Sequence, residues 1–278
     1  MSYYKLLRLY KEPFSTSPDP DFFYESKEHK AALYRLKIAI DLKRGMGLVI
    51  GDVGTGKTTL SRKLSQDLSN EPNVIVTIIL NPIYDTPQQF LADLMERLHI
   101  PFDVLDPQRL TVLDYMKIIE RFLFEQGVEQ RKTIVLIIDE CQKMGPACLE
   151  VLRSLLNYET NEYKTLQLIL LGQPEFLPKI SQIKNLWDRI ALKYELYPLD
   201  EREVESLIQF RLARAGHDSR EYLFHENAIR AIFCRTQGYP RRIAMLCHDA
   251  LEYLVMYKKT IVDKEVIQAI IQKEVQPV

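Results

Sequence analysis

The chain has 278 residues, 46% of them hydrophobic and 27% charged, which is globular usage and argues against disorder. Lysine and arginine number 37 against 38 aspartate and glutamate, a net charge of -1, which excludes nucleic-acid or membrane binding driven by overall charge. This length suits two domains, or one large domain with a lobe.

The N-terminus, MSYYKLLRLYKEPF, has no long apolar core and no small-residue cleavage site, so it does not read as a signal peptide. Lys11 to Pro20 contains Pro13, Pro18 and Pro20 and is predicted extended, because proline lacks the amide hydrogen and restricts its predecessor. Leu48–Ile50 is a short apolar strand before a glycine loop, and Thr58 to Leu68 has helical spacing after it. Val74 to Leu80 is a second strand. Pro87 to Leu98 is predicted helical, with Thr86 as N-cap and Pro87 at the first position. Val112 to Gln126 follows as helix, Ile134–Ile138 as strand, Cys148 to Tyr158 as helix, Leu166 to Leu171 as strand and Lys193 to Tyr197 as the last strand. The first four runs lack a polar alternate face, which suits strands buried on both sides in a parallel sheet covered by helices. None approaches the roughly 20 residues of a membrane span.

The pattern changes near Pro198. Asp200 followed by Glu203 reads as a capping box; Val204, Leu207, Ile208 and Leu212 share one helix face, and Gly216 is the stop. Asn227 to Gln237, Arg241 to Met256 and a segment from Asp263 read as further helices. The expected organisation is an N-terminal segment at 1–30, an α/β domain at 31–199 and a helical lobe at 200–278. The four cysteines, Cys141, Cys148, Cys234 and Cys247, include no C-x-x-C pair and read as buried reduced thiols rather than a zinc site or disulfide framework.

Gly51-Asp52-Val53-Gly54-Thr55-Gly56-Lys57-Thr58 matches G-x-x-x-x-G-K-[ST] between a strand and a helix. The glycines let backbone N–H groups curl inward around phosphates, and the helix N-terminus adds its positive dipole end. Lys57 reaches the β- and γ-phosphates, the Thr58 hydroxyl can ligate Mg²⁺, and Thr59 completes the phosphate-binding set. The strand Ile134–Ile138 delivers Asp139 and Glu140 at its C-terminal edge, where ligands sit in open α/β sheets. Asp139 is a Mg²⁺ ligand candidate, through water. Glu140 is placed to polarise an attacking water, which points to a hydrolase. Gln173, after the strand Leu166 to Leu171, either orients water near the γ-phosphate or serves as a turn residue. Arg189 either stabilises phosphoryl charge, in trans from a neighbouring subunit, or joins a surface ion pair. Arg241 or Arg242 either leans over the nucleotide or caps and solvates its helix.

Together these residues resemble an AAA+ ATPase, and one branch closely. Tyr4, Leu7, Lys11-Glu-Pro-Phe14, Pro18-Asp-Pro20 and Phe23-Tyr24 look like the start of the ExeA (GspA) family. So do Ile50 to Leu60, Asp139-Glu-Cys-Gln142 in place of D-E-A-Q, Gly172-Gln-Pro-Glu175, and Pro240-Arg-Arg-Ile243 with Leu246-Cys247. The resemblance implies a P-loop AAA+ core with a helical lid, using ATP and Mg²⁺. It implies Lys57 and Thr58 as Walker A, Asp139 and Glu140 as Walker B, Gln173 as sensor 1, Arg189 as arginine finger and Arg241 as sensor 2. It also implies Pro13 and Phe14 flanking the base. An oligomerising cytoplasmic protein, in a ring or filament, is expected. Full-length secretion members continue into a membrane span and a peptidoglycan-binding region, whereas this sequence stops at Val278. The expectation is a stand-alone relative or the ATPase part alone, with no direct membrane span.

Two functions compete with a third. The first is ATP hydrolysis coupled to assembly of a type II secretion or pilus-like envelope machine. The second is an ATP-dependent DNA-binding adaptor that regulates a transposase, for which Arg211, Arg214, Arg220, Arg230 and Arg235 supply candidate basic residues. The third, a nucleotide-gated switch with little turnover, is disfavoured by Glu140 and Arg189.

Overall fold

The computed structural model describes residues 2–17, 19–101, 110–217 and 222–275; Pro18, Arg220 and Val278, named above, lie outside them. In chain order the elements are α1 (Tyr3–Leu6), α2 (Lys27–Asp41), β1 (Met46–Gly51), α3 (Lys57–Ser69), β2 (Val74–Ile79), α4 (Pro87–Arg97) and α5 (Val112–Phe124). Then come β3 (Thr133–Ile138), α6 (Pro146–Leu155), β4 (Leu166–Gly172), α7 (Phe176–Ser181), α8 (Lys184–Trp187) and β5 (Ile190–Leu196). The chain closes with α9 (Glu201–Arg214), α10 (Glu226–Thr236), α11 (Pro240–Tyr257) and α12 (Lys264–Val275).

Contacts divide the chain into two units. One is Glu28–Asp52 with Leu60–Leu196 and holds the sheet. Its strand order is β2-β3-β4-β1-β5, with every pairing parallel. Leu48 of β1 lies beside Leu170 of β4 and Lys193 of β5, and Leu136 of β3 beside Leu168 of β4. The inner strands β1, β3 and β4 are buried almost throughout, as their unbroken apolar runs require. Each fully buried Leu or Ile there contributes about 1.5–3 kcal/mol. β5 is an edge strand and alternates in exposure. Its pairing begins at Ile190, three residues before the predicted start, because alternation hides an edge strand among polar residues.

Helices cover this sheet through stripes at i, i+3 and i+4 spacing: Phe90, Leu91, Leu94 and Met95 on α4, Tyr115, Met116, Ile119 and Leu123 on α5, and Cys148, Leu149, Leu152 and Leu155 on α6. Thr86 caps α4 by accepting from the Gln89 N–H at 3.3 Å. Helical structure runs through Gln126 as predicted, but its α geometry ends at Phe124. It passes into a π turn at Glu125–Glu129, whose Gly127 packs against Ile134 and Thr165 and accepts from the Tyr163 hydroxyl at 3.3 Å.

The other unit comprises Met1–Lys27, Val53–Thr59 and Tyr197–Val278. The predicted capping box is present: Glu203 N–H donates to Asp200 Oδ1 at 2.8 Å, and Asp200 N–H to Glu203 Oε2 at 3.4 Å. Glu203 Oε1 also accepts from Lys27 N–H at 2.9 Å, so one carboxylate serves the start of two helices. The core gathers Leu207, Ile208, Ile232, Ile243, Leu251 and Ile267.

The N-terminal segment is not simply extended. It contains α1, a 3-10 turn at Pro20–Phe22 capped by Asp19, and the start of α2. The α2 signal is the spacing of buried His29, Ala32, Leu33, Leu36 and Ile40. Phe14 is 1% exposed and meets Phe224 edge-on at 5.9 Å between ring centres. Phe14→Ala therefore lowers stability by about 3–5 kcal/mol, read as an earlier urea midpoint in far-UV circular dichroism. Of the four cysteines, Cys141, Cys148 and Cys247 are buried, but Cys234 is exposed on α10, a correction to the uniform burial expected.

Candidate nucleotide-binding site

β1 ends at Gly51, and after a five-residue loop α3 opens at Lys57. Gly54 and Gly56 bridge the gap at φ +87° and +98°, in the left-handed region where only glycine sits without strain. A Cβ on Gly54 would also stand 3.1 Å from Cβ of Arg241. Thr55 is 1% and Lys57 5% exposed. The helix N-terminus carries the partial positive charge of its unsatisfied N–H groups, and with the Lys57 ammonium at the first turn it favours an anion. The cradle therefore fits a polyphosphate, and the half-buried Thr58 offers the hydroxyl oxygen a hard cation takes.

In the sheet unit the parallel strands end at one edge, and three candidates lie there. Asp139 follows β3 and is fully buried. Its N–H donates to Ile79 O at 2.8 Å, and its Oδ1 accepts from Glu140 N–H at 2.9 Å. Its carboxylate is an oxygen donor of the kind Mg²⁺ selects. Glu140 has φ +53° and opens a 3-10 turn, Cys141–Lys143. A non-glycine residue there stores about 1–2 kcal/mol of strain. Its Oε2 accepts from Gln142 Nε2 at 2.8 Å and lies 3.6 Å from Lys143 Nζ. Lys143 Nζ in turn donates to Asn81 Oδ1 at 3.1 Å. Gln173 follows β4, the strand between β3 and β1. It is half-buried, and its N–H donates to Gln142 Oε1 at 3.2 Å. Asn81, Gln142 and Lys143 escaped the sequence reading as functional residues. Gln142 was quoted within the Asp139-Glu-Cys-Gln142 motif but given no role of its own, and that motif is the signal that could have flagged it.

Arg189 lies elsewhere. It precedes β5, at the amino edge of the sheet, and a strand of this length holds it about 20 Å from the carboxyl edge. Its guanidinium donates to Leu156 O at 2.8 Å, at the C-cap of α6, and to Asn157 Oδ1. Arg44 and Lys164 line the same hollow. Burial, and then the Arg189 charge, hold the Lys164 ammonium below its usual range.

In the helical unit the first turn of α11 meets the glycine loop. Arg241 N–H donates to Gly54 O at 3.3 Å, with the Arg241 side chain exposed. Arg242 instead stacks on Tyr239, 4.6 Å from the ring centre. Pro13 and Phe14 are both buried in this unit.

A parallel sheet with a glycine cradle after β1 and an acidic pair after β3 defines a P-loop nucleoside triphosphatase. Residues 40–180, just over half of the chain, match the AAA domain family model, and the chain belongs to that family. Over 251 residues it is 36% identical to the general secretion pathway protein A of Aeromonas hydrophila, covering 90% of this chain and 44% of that protein. The chain thus spans less than half of that relative. Among solved structures, Cdc6p of Pyrobaculum aerophilum superimposes with a TM-score of 0.68 at 15% identity, covering 90% of this chain and 67% of the other. A chain of the Drosophila ORC bound to DNA gives 0.69 at 19%, covering 99% and 67%. At these identities the likeness is one of fold. Among the described residues no helix is long and apolar enough to cross a membrane.

Proposed function

We propose that the chain is a cytoplasmic, self-associating ATPase of GspA type that couples Mg²⁺-dependent ATP hydrolysis to assembly of a secretion or pilus-like envelope machine. The observation that carries this reading is the 36% identity to general secretion pathway protein A over 90% of the chain.

In this reading residues 1–30 flank the nucleotide site, 31–199 form the nucleotide-binding domain and 200–278 the lid. The Gly51 to Thr59 loop binds the triphosphate, and Lys57 neutralises the β- and γ-phosphates. Thr58 and Asp139 would hold Mg²⁺, which withdraws charge from the phosphate oxygens when bound. Glu140 accepts a proton from water as its oxygen attacks the γ-phosphorus and the bond to the bridging oxygen breaks. Gln173 orients that water, and Arg241 leans towards the phosphates from the lid. Arg189 serves the nucleotide of a neighbouring copy. Pro13 lies near the base, with Phe14 as its anchor.

The test is ATPase rate against protein concentration, with and without double-stranded DNA, at two salt concentrations. A specific rate that rises with self-association and ignores DNA is expected. Stimulation by DNA that fades as salt rises would overturn the envelope reading in favour of the transposase adaptor.

A further inference from the structure

We propose that Gln142 is a positioning residue for hydrolysis, holding the Glu140 carboxylate in register with the segment that follows β4. This rests on the reading of Glu140 as the base. One side-chain amide joins the ends of two adjacent strands: Nε2 donates to Glu140 Oε2 at 2.8 Å, and Oε1 accepts from Gln173 N–H at 3.2 Å. Its partners fix its orientation, because a carboxylate only accepts and a backbone N–H only donates. No aliphatic, carboxylate, ammonium or guanidinium side chain supplies both functions at once.

The surroundings are built for that amide. Lys179 of α7 donates to the Gln142 carbonyl at 3.0 Å and to the Met144 carbonyl, which pins the turn on both sides. A Cβ on Gly172 would fall 2.5 Å from Cys141 Sγ and 3.1 Å from Gln142 Oε1, so the glycine that ends β4 leaves the room the amide occupies. Glu140 itself stands on a left-handed residue, with Gln142 and Lys143 as the side chains that hold its carboxylate. Lys143 is shared with Asn81, which leaves Gln142 as the directional contact.

The test compares wild type with Gln142→Met, Gln142→Glu, Glu140→Gln and the double variant Glu140→Gln/Gln142→Met. ATPase kinetics, binding of a fluorescent ATP analogue and thermal unfolding are measured for each. Gln142→Met is expected to lower kcat by about 10–100-fold with KM within about twofold, because misplacing a catalytic group by about 1 Å costs that much. Gln142→Glu loses at least as much, since it sets carboxylate against carboxylate. In single turnover the double variant equals Glu140→Gln, because Gln142 acts only through Glu140. An unchanged kcat in Gln142→Met beside an inactive Glu140→Gln overturns this inference alone. So does a loss that multiplies in the double variant, or one matched by a fall in melting temperature. A fully active Glu140→Gln overturns the reading of Glu140 as base.

Discussion

Glu140→Gln is expected to bind ATP as the wild type does and to lose hydrolysis by about 10²–10⁴-fold, the range a positioned general base contributes. The substitution keeps size and shape. The left-handed backbone at this position, φ +53°, is as accessible to glutamine as to glutamate, and the side-chain oxygen still accepts from Gln142. The phosphate cradle and its buried Lys57 are unaltered, so affinity stays while proton acceptance is gone. A fluorescent ATP analogue reads binding, and phosphate release reads turnover. Undiminished turnover would remove Glu140 from the role of base.

Arg189→Ala is expected to abolish most activity, by about 10³-fold or more on the scale of arginine fingers, and to regain part of it when mixed with Lys57→Ala. The reason is positional. Arg189 sits at the amino edge of the sheet, anchored at the end of α6 through Leu156 O, far from the strand ends that carry Asp139 and Glu140. That distance separates it from the carboxylates of its own chain, and the proposed role is on the nucleotide of another copy. In a random one-to-one mixture about a quarter of interfaces pair an intact Lys57 with an intact Arg189, and activity returns in about that proportion. Native mass spectrometry establishes co-assembly. Co-assembly without rescue would count against an arginine supplied in trans. Loss of the Leu156 contact itself costs about 1 kcal/mol, read separately in thermal unfolding.

The chemistry that sequence revealed is the chemistry carried by contiguous residues. The glycine loop and the Asp139-Glu140 pair are local in the chain, and burial on both faces of the inner strands leaves unbroken apolar runs. β1, β3 and β4 were therefore legible. The order β2-β3-β4-β1-β5 was not, because any buried parallel strand can neighbour any other. α2 escaped because its apolar stripe is diluted by lysines, glutamate and aspartate and starts just after a proline-rich stretch that breaks helices. Phe14 read as a nucleotide-flanking residue by resemblance, yet its ring packs in the helical core. Gln142 was visible as part of the Asp139-Glu-Cys-Gln142 motif, but its contact with Gln173 lies 31 residues away in sequence, which no local pattern encodes.

The contact between Arg241 N–H and Gly54 O belongs to the backbone, and that changes how variation at position 241 is to be read. Any residue but proline supplies the same N–H, so an alanine scan or a drifting sequence leaves this tie between helix and loop untouched. A phenotype at Arg241 reports the guanidinium alone. The tie itself is inherited with the path of the chain, and the lid can exchange its surface chemistry without letting go of the phosphate loop.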